Sequence, residues 1–306
     1  MKKLFALFLM FFAISLFAKD IKPEALDIFS SQFKAKLRAK SLSGFFVYVG
    51  ENERRIIGCD DAEKLVNLGT ASNAITNYLA HKLEKQGKFN RSDDIRTYAK
   101  IFKYNSKKIT FSDLISSTAS IASSHDKLYP KDAQDYEYFD FLWQMNPTLI
   151  SGAEYDYSAL SNLGAIYALS YSQSKKENAL LDSFDNLIKS ELASEFPSIK
   201  LIKPNPLNLS YSLNIIDLTE YLSKELKSFS AINKSEIKRG KHQNTWLFSE
   251  LNTQKLAILG AKSNDTLLIA NFYEKNLAIA IFIENNSDAH SLLMTILQDF
   301  TKLFAH

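Results

Sequence analysis

Apolar residues follow a helical spacing at both ends of the chain and through its middle, and a strand-like spacing just inside each end. After Lys22-Pro23 they fall at Leu26, Ile28, Phe29, Phe33 and Leu37, which predicts an amphipathic helix over Glu24 to Ala39. Two strand-like runs come next, Gly44 to Gly50 and Arg54 to Cys59, joined by the polar turn Glu51-Asn52-Glu53. The far end mirrors this with runs at Thr245 to Leu251, Lys255 to Leu259, Asp265 to Phe272 and Asn276 to Ile283, followed by a helix from about Ala289 to Phe304. Asn and Gly separate these runs, which suits antiparallel connections. Neither end can bury both faces of its strands alone. The economical solution joins them in one antiparallel sheet with the terminal helices against it.

From Ala71 to Lys238 the pattern predicts mainly helix, over Ser72 to Gln86, Phe111 to Ser116, Asp135 to Met145, Asn162 to Ser174, Glu177 to Leu192 and Leu213 to Phe229. Thr110, with Asp113 three residues on, gives the second of these a capping-box-like start. Pro197, Pro204 and Pro206 mark a break with little periodicity. The expected architecture is α/β, of the α+β type: an antiparallel sheet of about five strands flanked by N- and C-terminal helices, with an inserted helical lobe. In residues, the sheet lobe takes 22–66 and 240–306, and the helical lobe takes 67–239.

The first residues bear on compartment. Lys2 and Lys3 precede an apolar run from Leu4 to Phe17 that ends at Ala18. These are the parts of a signal peptide over residues 1–18. An uncleaved anchor helix is the alternative, but ~14 apolar residues fall short of the ~20 that cross a bilayer. The expectation is therefore a periplasmic protein without a stable membrane span after cleavage. Loss of residues 1–18 removes two lysines and no acid, so the formal charge falls from +3 to +1. A nearly neutral chain makes no case for nucleic acid as a partner. Cys59 has no second cysteine to pair with, and His81, His125, His242, His290 and His306 are scattered rather than set at ligand spacing. No metal or other cofactor is expected.

Three blocks carry candidate chemistry. The first runs Leu68-Gly69-Thr70-Ala71-Ser72-Asn73-Ala74-Ile75-Thr76, continues through a helix ending Glu84-Lys85-Gln86-Gly87-Lys88-Phe89, and closes at Asp93-Asp94-Ile95. The second is Ile109-Thr110-Phe111-Ser112-Asp113-Leu114-Ile115-Ser116-Ser117-Thr118-Ala119-Ser120-Ile121. The third is Gly152-Ala153-Glu154-Tyr155-Asp156-Tyr157-Ser158-Ala159. In this order they resemble the Gly-Ser-x-Thr-Lys, Ile-Thr-Ile-Arg-His-Leu-Leu-Ser-His-Thr-Ser-Gly-Leu and Gly-x-x-Phe-x-Tyr-Ser-Asn segments of the class C β-lactamase and penicillin-binding-protein-like serine hydrolases. The resemblance implies the sheet-plus-inserted-helices fold. It is weak from about Ser174 to Arg239.

The resembled family performs acyl transfer, in which a Ser hydroxyl attacks a carbonyl while a Lys three residues on and a Tyr help move the proton. Residues i and i+3 share a helix face and can serve one reacting centre. Here the Ser position holds Thr70, whose extra methyl crowds its hydroxyl. The Lys position holds Asn73, whose amide neither titrates near neutral pH nor carries a charge. Shifting the register to make Ser72 the nucleophile puts Ile75 at i+3 and loses the matches at Gly69 and Thr76. Tyr157 matches the family Tyr, and a packing role for it stays open beside a functional one. The family's following Asn has become Ala159. On the strand that edges the family's site the nearest candidates are Leu259-Gly260 and Lys262-Ser263-Asn264; Lys262 could meet an anionic ligand or stand as an exposed strand-end lysine. His125 could line the cleft or sit in a solvated loop.

Thr70, Asn73, Tyr157, Ala159 and Lys262 are thus the candidate cleft residues, and none is assigned a confident catalytic role. The expectation is an exported, non-catalytic member of this fold that binds a peptidoglycan-derived peptide or an envelope protein, or has a structural role. A weak or altered esterase, amidase or D-Ala-D-Ala peptidase is the alternative.

Overall fold

The computed structural model describes residues 21–98, 108–119, 121, 123–129, 156–174, 179–203, 209–230, 242–243, 246–260, 266–284 and 288–304. In chain order the principal elements are α1 (Pro23–Ala39), β1 (Gly44–Val49), β2 (Arg54–Ile57), β3 (Leu65–Asn67), α2 (Ser72–Lys85), α3 (Phe111–Ile115), α4 (Ser123–Asp126), α5 (Ala159–Ser174), α6 (Leu180–Leu192), β4 (Lys200–Ile202), β5 (Ser210–Asn214), α7 (Ile215–Ser230), β6 (His242–Gln243), β7 (Trp246–Leu251), β8 (Gln254–Leu259), β9 (Leu267–Phe272), β10 (Leu277–Ile283) and α8 (Ala289–Thr301). The chain divides into two compact units. The first takes the chain up to Ala62, a stretch beginning at Thr219, and the chain from Phe248 on; the second takes Glu63–Leu218 and a short segment ending at Leu247.

The strands that open and close the chain join in one sheet of order β2-β1-β10-β9-β8-β7-β6. The junction is antiparallel, from Gly44 opposite Ile283 to Val49 opposite Ala278. The six strand-like runs expected from the sequence all enter this sheet, with the two-residue β6 added. β9 is buried along its whole length and β10 nearly so, which explains why Leu277-Ala278-Ile279-Ala280-Ile281 reads as continuous apolar sequence rather than as an alternation. One face, carrying Phe46, Tyr48, Leu268, Ala270, Phe272, Ile279 and Ile281, forms a core with Leu26, Phe29, Phe33 and Leu37 of α1 and Leu293, Ile296, Leu297 and Phe300 of α8. Phe300 stands at its centre, with ring centroids 5.3 Å from Phe29, 5.2 Å from Phe46 and 5.7 Å from Phe272. β8 ends at Gly260, where φ is +72° and a Cβ would lie 2.1 Å from the Leu267 carbonyl oxygen. Only glycine fits that turn.

In the second unit β3, β5 and β4 form a small antiparallel sheet with β5 in the middle, Val66 facing Leu213 and Leu201 facing Tyr211. This corrects the reading of the region around the prolines. Leu213 and Asn214, whose spacing predicts the start of a helix, end a strand, and α7 begins at Ile215. α5 begins at Ala159, three residues before its expected start, and buries every residue from Leu160 to Ser170. A helix covered on all sides carries no amphipathic stripe to mark its ends. α2 is held to α6 and the turn after it by polar contacts: Lys82 Nζ donates to Glu195 Oε1 at 2.5 Å and to the Glu191 carbonyl, and Tyr78 donates to Glu195 Oε2 at 2.7 Å. The expected helix over Asp135 to Met145 lies outside the described residues. Among the described residues no helix is long and apolar enough to cross a membrane.

Candidate functional site

The site is built on the turn that leads from β3 into α2. Gly69 adopts φ +52°, and its N–H donates to Asn67 Oδ1 at 2.9 Å. One 3-10 turn, Gly69–Ala71, then feeds α2. Tyr211 of β5 holds this segment at three places. Its carbonyl accepts from the Leu68 N–H at 2.9 Å, its own N–H donates to Ser72 Oγ at 2.9 Å, and its hydroxyl lies 3.0 Å from Thr76 Oγ1. Ser72 and Thr76, four positions apart, share one side of the helix, and Leu68 is held through its backbone just before the turn. Ser72 and Thr76 are buried there, while Thr70 and Asn73, three apart on another side, are both half-buried. Complete burial, offset a little by the bond to Thr76, pushes the Tyr211 hydroxyl far above its ordinary range, so it stays protonated. Ser72 is thereby occupied as a structural acceptor.

The three blocks touch in the order in which they occur. At the end of the first, the Ile95 N–H donates to the Ile109 carbonyl at 2.7 Å, and Asp94 and Thr110 form an antiparallel bridge. Asp94 caps the short turn that follows it through the Arg96 N–H at 3.0 Å, and its bonds with the Arg96 side chain, opposed by partial burial, hold its carboxyl below the ordinary carboxylate range. In the second block the capping box forms as the sequence suggests: Thr110 N–H donates to Asp113 Oδ2 at 2.8 Å, and Asp113 N–H donates to Thr110 Oγ1 at 3.1 Å.

The second block receives the third at Ser117, which sits at φ +53°. Its carbonyl accepts from the Asp156 N–H at 3.2 Å and its Oγ accepts from the Ser158 N–H at 3.4 Å. Tyr157, between these two anchors, is half-buried. Ser158 then acts as an N-cap: its Oγ accepts the Ser161 N–H at 3.2 Å and donates to Asp126 Oδ1 at 2.9 Å. Asp126, on α4, also accepts from the N–H groups of Ala159 at 2.8 Å and Leu160 at 3.2 Å. A carboxylate at this end of α5 meets both the free N–H groups and the positive end of the helix dipole.

Thr70, Asn73, Tyr157 and Ala159 therefore belong to one compact unit; Asn73 lies on α2 and Ala159 on α5, helices that pack against each other, and Thr70 and Tyr157 lie in the segments that lead into them. Lys262 lies outside the described residues, as does the side chain of His125. Asp126 is the residue that sequence reasoning missed, next to the candidate His125. Ser158 did offer a readable signal, a hydroxyl residue directly before an apolar helix. The chemistry available at Thr70 is limited by position 73. A hydroxyl is present, and one helical turn on stands an amide that can neither take up a proton nor lend positive charge. Among the described residues no group of three or more His, Cys, Asp or Glu is placed to hold a metal ion.

No model of a protein family matches this sequence, and no curated protein does. Solved structures do. A β-lactamase/D-alanine carboxypeptidase from Pseudomonas syringae superposes with a TM-score of 0.69 at 14% identity, covering 90% of this chain and 99% of that one. A class C β-lactamase gives 0.69 at 11% identity over 94% of this chain and 98% of its own. SurE, solved with D-leucine, gives 0.69 at 10% identity over 92% of this chain and 76% of its own. The chain thus has the fold of the β-lactamase and penicillin-binding-protein-like serine hydrolases, as its three blocks implied.

Proposed function

We propose that this chain is an exported, non-catalytic protein built on the serine hydrolase fold, which uses the surface around Thr70, Asn73 and Tyr157 to bind a peptide of the bacterial cell envelope. One observation carries the reading: the residue one turn beyond the Thr70 hydroxyl is Asn73, on a segment that Tyr211 clamps at 68, 72 and 76. The turn is kept and its proton acceptor is gone. Loss of a positioned general base costs on the order of 10²- to 10⁴-fold in rate, and loss of a nucleophile in a concerted site about 10⁶-fold. Support for the ligand class comes from proteins of like fold, among them a D-alanine carboxypeptidase and SurE with bound D-leucine. Export to the periplasm is part of the proposal and rests on the basic and apolar pattern of residues 1–18.

Fluorescent penicillin distinguishes a disarmed site from a working one. The parent protein is expected to show no covalent label, and a Thr70→Ser, Asn73→Lys double variant is expected to gain it. A stable adduct on the parent chain at Thr70 would overturn the proposal. The half-buried, unsealed position of Thr70 favours a second reading, a weak esterase, amidase or D-Ala-D-Ala peptidase with Thr70 as nucleophile. Under it, Thr70→Val abolishes turnover of small esters; equal background rates in both proteins eliminate it.

A further inference from the structure

Arg91 fastens the segment that follows α2 back onto the helix, and one of its anchors can take up a proton near neutral pH. Its backbone N–H donates to Glu84 Oε1 at 3.2 Å, its Nε to Glu84 Oε2 at 2.9 Å and its Nη1 to Asn77 Oδ1 at 3.3 Å. The remaining anchor is His81, whose Nδ1 lies 3.2 Å from Arg91 Nη2. A guanidinium has only donors, so this contact requires an Nδ1 without a proton, and the ring hydrogen sits on Nε2. Asn77, His81 and Glu84 follow one another along a single half-buried side of α2.

The charged groups that act on His81 are Glu84 and Lys85 from α2 and Arg91 from the segment after it. Partial burial, then Arg91 and Lys85, favour the neutral ring against the pull of Glu84. Burial raises the Glu84 carboxyl, but its bonds to Arg91 outweigh this and hold it below the ordinary carboxylate range, so it stays ionised where a histidine titrates. One proton taken from solvent at Nδ1 therefore sets two donors and two positive charges face to face. Glu84 Oε2, 3.5 Å from Nδ1 and already bonded to Arg91 Nε, becomes the acceptor for which both cations compete.

The second block is joined to α2 through this same segment. The Arg91 carbonyl accepts from the Ser112 N–H at 3.4 Å, Asp94 bridges to Thr110, and the Ile95 N–H donates to the Ile109 carbonyl. We propose that His81 and Arg91 form a proton-sensitive clasp: with the ring neutral it pins the second block to α2, and with the ring protonated Arg91 lets go.

Amide hydrogen exchange of the purified protein, followed by nuclear magnetic resonance from about pH 8 to pH 5, tests the clasp. The readout is protection of the Arg91 amide relative to that of Tyr211, whose buried N–H bonds to Ser72; the ratio cancels the ordinary pH dependence of exchange. It should fall about tenfold, the scale of a lost charge-assisted hydrogen bond, with the midpoint at which the His81 ring resonances titrate. In His81→Gln, which keeps an acceptor oxygen but binds no proton, the ratio should stay level. A parent ratio that stays level, or that falls with a midpoint other than that of the ring, overturns the proposal whether or not the variant folds. An equal fall in His81→Gln overturns it as well.

Discussion

Replacing Asp126 by alanine tests how the third block is held. Its carboxylate accepts from Ser158 Oγ at 2.9 Å and from the N–H groups of Ala159 and Leu160 at 2.8 and 3.2 Å. The Ser158 hydroxyl, fully buried, loses its acceptor as well. The two backbone donors cannot move. Ala159 is half-buried and regains some solvation, whereas Leu160 is fully buried and does not. Losing a helix cap costs about 0.5–2 kcal/mol, and leaving a buried N–H without an acceptor costs about 1–3 kcal/mol. Together these put Asp126→Ala at roughly 2–4 kcal/mol. Asp126→Asn keeps an acceptor oxygen but loses the charge, and should cost about half as much, since charged hydrogen bonds are roughly twice as strong as neutral ones. Urea unfolding followed by far-ultraviolet circular dichroism measures the total. Amide hydrogen exchange at Ala159 and Leu160 places it on α5. If Asp126→Ala unfolds within about 0.5 kcal/mol of the parent, the range of a neutral surface change, with exchange at those two amides unaltered, then Asp126 does not hold the Tyr157 segment.

Ser72→Ala removes the buried acceptor of the Tyr211 N–H and should destabilise by about 1–3 kcal/mol, read by the same unfolding assay; a neutral result would mean β5 does not clamp the start of α2. His81 supplies a pH dependence. Partial burial, then the nearby Arg91 and Lys85, lower its pKa below the ordinary 6.5, against an opposing pull from Glu84, and Arg91 Nη2 lies 3.2 Å from its Nδ1. The folded protein therefore binds this proton less readily than the unfolded chain, so the stability His81 contributes is full above about pH 6.5 and is lost as pH falls toward the folded value. Unfolding titrations from pH 8 to pH 5 should show this slope in the parent and a shallower one in His81→Gln; equal slopes refute it.

Much of the sheet was legible in the amino-acid order because its strands are bounded by turns and built from apolar runs. That the two ends share a sheet followed from counting faces: strands at either end had nothing else to cover them, and Gly44 to Val49 pairs with Leu277 to Ile283 accordingly. The capping box at Thr110 and Asp113 was readable for a similar reason, since both partners lie within one helical turn. That Thr70 and Asn73 stand three residues apart, the spacing that brings two side chains to one face, also needed no coordinates.

Contacts between segments far apart in the chain left no such mark. β5 is a fully buried strand of mixed Ser, Tyr, Leu and Asn whose pairing partners begin at Leu65 and Lys200, so no local period distinguished it from the helix it precedes. The reach of Asp126 to the N–H groups of Ala159 and Leu160 spans more than 30 positions, too far for any local pattern to mark. Hydrogen-bond saturation is a property of the packed chain. Residue order alone assigns each group its capacity to donate or accept, and folding settles which of those capacities are met within the protein.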